Sequence, residues 1–168
     1  VMLKRLAETV VRDFGGRIPK TPNELDRLPG IGATTAGAIA VFAFNQPTVF
    51  IETNIRRVFI HHFFPKRQRV RENEIMKLVA ATVDAKNPRE WYYGLMDYGA
   101  YLGRSVPNPN RRAAAYHRQT KFAGSTRELR GKILKLRLTG KKVSVRGLGV
   151  SLKRFKQAIL SLKKDSLI

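Results

Sequence analysis

An all-α protein is what three features of this 168-residue sequence predict. Apolar residues recur at helical spacing through most of the chain. No convincing alternation of apolar and polar residues marks a strand in the first hundred residues. Glycine or proline punctuates nearly every junction between the periodic stretches. A hydrophobic content of 43% is enough for a real core, and the length suits one domain, or one domain with a small appendage.

Taken in order, Leu3, Leu6, Val10 and Phe14 define a first helix that Gly15 and Gly16 stop. Thr21-Pro22-Asn23-Glu24 reads as a capping box, with proline at the first helical position, where its missing amide had no partner anyway. The short helix it starts ends near Leu28, and a second helix from Ala33 to about Phe44 is apolar nearly all round. Asn45-Gln46-Pro47 makes a turn. Val49 to Ile51 then approaches a helix through Ile55 to Phe63, which Pro65 ends. Glu72 to Val83 and Pro88 to Leu102 supply two more helices, the latter carrying Trp91, Leu95 and Met96.

Gly103 to Gly124 breaks the pattern with an irregular basic loop around Pro107 and Pro109. Beyond it, Thr126 to Leu138 and Ser151 to Leu162 are helical, with a β-prone stretch at Lys142 to Val145 between them. In the last helix Leu152, Phe155, Ile159 and Leu162 point inward, and Lys153, Arg154, Lys156 and Lys163 outward. A minimal winged-helix or helix-turn-helix module fits this tail, and so does a helical hairpin with a solvated basic face. The expected organisation is a helical domain over 1–104, a basic linker over 105–125 and a basic helical module over 126–168.

The charge is large and uneven. There are 33 basic and 12 acidic residues, a formal net charge of +21. Residues 104–168 hold 18 of the bases and only 2 of the acids. Such a field favours phosphate-rich partners, nucleic acid ahead of an anionic membrane, although a solubility tail is the bland reading. Zero cysteine excludes a disulfide framework, a thiolate-held iron–sulfur cluster and a thiol nucleophile. No apolar run approaches a membrane span and no signal peptide is legible, so the expected location is cytoplasmic, with DNA. A glycine–lysine phosphate loop and a clustered acidic metal site are both missing, which disfavours an ATPase or a nuclease.

Leu28-Pro29-Gly30-Ile31-Gly32 between two helices carries the most information. Glycines allow backbone angles closed to other residues and let a phosphate come close. The following helix then offers its unpaired amino-terminal N–H groups. A tight helix–helix turn without any ligand would have the same sequence.

The longer string Leu28 to Ile39 resembles the helix-hairpin-helix of the DNA glycosylase superfamily. Phe50-Ile51-Glu52-Thr53-Asn54-Ile55-Arg56-Arg57-Val58 resembles its catalytic segment, and Trp91 to Ala100 resembles a stretch of its MutY-type adenine glycosylase branch. The resemblance spans residues 3 to 104. It implies a helix-hairpin-helix glycosylase-like fold and a DNA glycosylase of base-excision repair, which hydrolyses the bond to a flipped-out base through an oxocarbenium-like state. Adenine opposite an oxidised guanine is the first expected target, and a mismatched thymine or uracil the second.

Carried onto this sequence, the resemblance gives Glu52 the carboxylate that stabilises charge on the deoxyribose, where relatives have aspartate. Asn54 would hydrogen-bond near the sugar and that carboxylate. Leu28, Pro29, Gly30, Ile31, Gly32, Thr34, Thr35 and Arg56 would contact the DNA backbone. Bifunctional relatives place a lysine at Thr34; threonine cannot form their Schiff base, so no strand cleavage is expected. Potassium or sodium at hairpin carbonyls near Leu28 and Ile31 is admitted, and no iron–sulfur cluster is expected. The basic loop, through Arg111, Arg112 and Arg118, would take over phosphate contacts in the cluster's place. The family's preceding helices, with the acid that protonates the departing base, have no counterpart in residues 1–20. The sequence therefore also suits a catalytically silent DNA-binding remnant, or one subunit of a split enzyme with a partner supplying those helices. His61, His62 and His117 suggest no metal site, and the tyrosines of the 91–101 stretch are read mainly as packing.

Overall fold

The computed structural model describes residues 2–118 and 120–168, and among them all regular structure is helical. The chain divides into two compact units, one ending at His117 and the other running from Arg118 to Ile168. No helix among the described residues is long and apolar enough to cross a membrane.

The first unit begins with α1 (Met2–Phe14), closed by Gly15 and Gly16 in the left-handed region, with the Gly16 amide reaching back to the Val10 carbonyl at 3.0 Å. The next helix, α2 (Pro22–Asp26), starts at Thr21, whose hydroxyl accepts from the Glu24 amide at 3.3 Å. The second half of the expected capping box differs. Glu24 takes the Thr21 hydroxyl at 2.6 Å instead of the Thr21 backbone amide. Its partner across the turn is α3 (Ala33–Phe44). Leu25 and Leu28 pack against Ala36 and Ala40 of α3 and Val10 of α1, so small residues on α3 let the hairpin close tightly. Only one flank of α3 is buried, since Thr34 and Thr35 are exposed.

Asn45, left-handed at φ 52°, ends α3. An extended stretch then leads into α4 (Thr53–Phe63), followed by α5 (Glu72–Thr82) and α6 (Pro88–Ser105). Their shared core holds Phe50, Ile51, Ile55, Phe59, Ile60, Val70, Ile75, Val79 and Tyr92. α6 continues past Leu102, where a helix end was expected, because Gly103 serves a close approach and does not stop the helix.

The stretch after α6 is less irregular than its composition suggests. Pro109–Arg112 forms a 3-10 turn, and Val70 pairs with Ala113 in an isolated parallel bridge, its amide donating to the Arg112 carbonyl and its carbonyl accepting from the Ala114 amide, both at 2.8 Å. The basic segment as far as His117 thus belongs to the first unit.

The second unit contains α7 (Thr126–Leu138), α8 (Val145–Leu148) and α9 (Leu152–Lys164). Serine starts each of them: Ser125, Ser144 and Ser151 accept from the amides of Glu128, Gly147 and Arg154. The β-prone Lys142 to Val145 forms no strand. Ser144 instead caps α8, so the module has no wing among its described residues. Leu129, Ile133, Ala158 and Leu162 make the core. Leu152, expected inside, is 55% exposed, because α9 has not yet reached that core at its first residue.

Candidate active site

The extended stretch before α4 decides where Glu52 sits. Tyr92 of α6 stacks on Phe50 with ring centroids 4.4 Å apart. Its hydroxyl accepts from the Phe50 amide at 3.2 Å and donates to the Thr48 carbonyl at 2.9 Å. Burial pushes that hydroxyl's pKa above its usual value, against the opposing pull of the Phe50 amide. On the other side, Gly37 of α3 meets Phe50 so closely that a Cβ there would lie 2.8 Å from the Phe50 Cβ. The backbone of residues 48–51 is therefore held from α3 and from α6.

Glu52 follows as the N-cap of α4. Its Oε1 accepts from the amides of Asn54 and Ile55 at 2.5 and 2.9 Å, leaving Oε2 with no hydrogen bond among the described residues. One oxygen fixes the carboxylate at the positive end of the helix, and the other is free to face a developing positive charge. The group is half-buried, which limits how much water screens it.

Asn54, in the first turn of α4, is held by a neighbour that the sequence reading did not single out. Arg57 Nη1 donates to Asn54 Oδ1 at 2.6 Å and to the Gly99 carbonyl, and its Nε lies 3.5 Å from Asn108 Oδ1. The guanidinium lies close against α6 because Gly103 leaves room, where a Cβ would sit 2.7 Å from Arg57 Nη1. Gly99, one turn earlier, lets α6 touch the first turn of α4, where a Cβ would come within 2.6 Å of the Asn54 Cβ. Two glycines four residues apart are the sequence signal that could have marked this close-packing face, but the helix was expected to end at Leu102, before Gly103. Their arginine partner left no such signal.

The other expected site residues fall into three groups. Leu28 is buried in the core beneath the hairpin, so only its backbone is available to a ligand, while Ile31 packs on that core and stays partly exposed. Gly30 adopts φ +83°, a conformation that favours glycine, with the Met2 side chain 3.5 Å from the position of a Cβ. Gly32 caps α3 without a side chain, and Thr34 and Thr35 occupy the exposed first turn beyond half-buried Pro29. The Leu28 carbonyl accepts from the Ile31 amide at 3.0 Å and keeps a second lone pair.

Arg56 and Arg112 already have partners within the fold. Arg56 pairs with Glu72 at 2.9 Å. Arg112 donates to the carbonyls of Ile60, at 3.2 Å, and Pro65, satisfying the end of α4. Arg111 is exposed, and Arg118 is exposed at the start of the second unit. Asn110, also missed from sequence, is buried and donates to the Thr53 carbonyl at 3.0 Å. Among the histidines, His62 Nε2 lies 2.8 Å from Tyr98 Oη, and the described residues hold no group of acids and histidines suited to a metal ion.

Two short helices joined through a left-handed glycine define a helix-hairpin-helix protein, and residues 13–42 match the helix-hairpin-helix motif. The wider comparisons extend this. The chain is 30% identical over 102 residues to a thymine/uracil-DNA glycosylase of Methanothermobacter thermautotrophicus, covering 60% of this chain and 46% of that protein. It is 34% identical over 114 residues to the human adenine DNA glycosylase, covering 65% of this chain and 20% of that one. The solved structure of a thermostable thymine-DNA glycosylase superposes with a TM-score of 0.54 at 25% identity, over 67% of this chain and 52% of that one. The chain thus carries the helix-hairpin-helix motif and is similar over about two thirds of its length to DNA glycosylases. It spans about half the length of the thymine glycosylases it matches, and less of the adenine glycosylase.

Proposed function

We propose that the chain is a monofunctional DNA N-glycosylase of base-excision repair that acts through Glu52. The observation behind this is Glu52, pinned through one oxygen at the start of α4 with the other free, in a chain that also holds the hairpin. Glu52 would stabilise the oxocarbenium-like sugar as the bond from C1′ to the base nitrogen breaks. The bonding electron pair would leave with the base nitrogen; a water molecule would then add its oxygen to C1′ and lose a proton while the base nitrogen takes one up, leaving an abasic site and the free base. Asn54, oriented by Arg57, would hydrogen-bond beside that carboxylate. Thr34 carries no amine, so no imine and no lyase step are expected.

The hairpin would grip the backbone of duplex DNA through the amides of Gly30 and of Gly32 to Thr35. Hairpin carbonyls around Leu28 and Ile31 suit a potassium or sodium ion, which would reinforce that grip. With no cysteine in the chain, the 108–112 loop takes its shape from Asn110 and Arg112, without an iron–sulfur cluster. Adenine opposite 8-oxoguanine or guanine is the first substrate to try. Thymine or uracil opposite guanine is the second, supported by the similarity to thymine glycosylases.

A second reading is favoured by the share of the relatives' length that the chain spans. It would be a DNA-binding remnant, or one subunit of a split glycosylase whose partner supplies the remaining helices. Single-turnover base release on A·oxoG, A·G, T·G and U·G duplexes separates the two. Release by the chain alone, abolished in Glu52→Gln and without strand cleavage before alkali, supports the enzyme. Binding without release on every duplex supports the second reading.

A further inference from the structure

The second unit holds 15 basic and 2 acidic residues, and both acids are engaged. Glu128 pairs with Lys132 at 2.8 Å and accepts from the Gly124 amide, while Asp165 pairs with Arg130. Thirteen cations therefore have no acidic partner within this unit among the described residues, and their mutual repulsion opposes the compact state unless something neutralises it.

Four of them are arranged in a line. α9 buries Ala158 and Leu162 completely, and its opposite side carries Lys153, Lys156, Lys163 and Lys164, all exposed, around Leu160. At 1.5 Å per residue, Lys153 to Lys164 extends about 16 Å. That length of B-form duplex axis passes about five phosphates on each strand. Arg154 does not join the line, because its guanidinium donates to the Gly124 carbonyl. A lipid surface would need a continuous apolar face on this helix, but Phe155, Ala158, Ile159 and Leu162 pack in the unit's own core, which leaves only Leu152 and Leu160 exposed.

We propose that the lysine line of α9 grips the sugar–phosphate backbone of duplex nucleic acid without regard to sequence, as a second binding site besides the hairpin. The proposal rests on the reading that this chain works on DNA. The test is fluorescence anisotropy of the full chain with a labelled, fully paired duplex of about 20 base pairs, titrated across a salt series. The Lys153→Gln, Lys156→Gln, Lys163→Gln, Lys164→Gln variant is compared with the same four positions changed to arginine. Glutamine matches lysine closely as a helix former, and circular dichroism checks that the fold is kept.

With about 0.9 counterions released per phosphate neutralised, the plot of log affinity against log salt should become shallower by about 3 to 4 in the glutamine variant. Affinity at ~0.1 M salt should fall at least tenfold. The arginine variant should keep both. An unchanged slope in the glutamine variant, with the duplex still bound, overturns the proposal and leaves the DNA reading standing. No duplex binding by the unmodified chain overturns both. Stronger retention on phosphatidylglycerol vesicles than on the duplex reassigns the face to a membrane surface and overturns it as well.

Discussion

Around α4 the first unit binds several polar side chains to its own backbone, whereas the second leaves most of its cations exposed to solvent. Around α4, Arg57, Asn110 and Arg112 each hold backbone carbonyls, and Tyr92 holds the segment leading to Glu52. In the second unit the serines cap helix starts, and most cations are exposed without an acidic partner. The difference matches two kinds of task. A carboxylate that must meet a reacting carbon needs a backbone fixed to a fraction of an ångström. A charged surface meeting a regular polyanion needs spacing and sign more than a fixed rotamer.

If the contrast is sound, Glu52→Gln should have the largest effect. Base release should fall roughly a thousandfold, with little change in urea stability, since a glutamine oxygen can still accept the two α4 amides. Next comes Gly99→Ala, which drives a methyl into the first turn of α4. The helices must part, so urea denaturation should show a loss of about 3 kcal/mol.

Arg57→Met keeps bulk but strips the Gly99 carbonyl and Asn54 of their donor. A loss of about 2 kcal/mol is expected, with single-turnover release slowed and duplex affinity kept. Lys163→Gln in the second unit should leave the melting temperature where it was. Equal stability losses from Arg57→Met and Lys163→Gln would erase the distinction between the units.

Tyr92→Phe is the mildest of the first-unit changes. Two hydrogen bonds go while the stacking stays, and about 1 kcal/mol should be lost. The Tyr92 pKa is raised in the fold, so its contribution is complete below the unfolded value near 10 and lost as pH rises through the folded one. A urea series across alkaline pH should show a shallower decline for the phenylalanine variant.

What could be read from sequence was local. α3 and α7 have the bounds expected from their punctuation, because glycine, proline and serine act on the residues beside them. The turn at Gly30 was visible for the same reason, while the helix expected through Ile55 to Phe63 begins at Thr53, capped by Glu52. What escaped depends on elements more than forty residues apart in the chain. Arg57 looked like one more cation beside Arg56, yet only Arg57 lies against two glycines of α6. Gly103 reads as a helix stop until its neighbour across the interface is known. Lys142 to Val145 has β-branched residues, but no second strand exists to pair with them, and Ser144 finds a helix to cap.

The Pro109–Arg112 turn works like a caliper on α4. Asn110 grips the carbonyl of Thr53 at one end, and Arg112 grips that of Ile60 near the other. Those carbonyls are about 10 Å apart along the helix, and the jaws are separated by a single residue, Arg111. The turn is therefore a poor place for insertions or deletions, despite its asparagines and prolines, because one extra residue would release one jaw. Peptide tags and protease sites should be tolerated after Ala115, and rejected between Asn108 and Ala113.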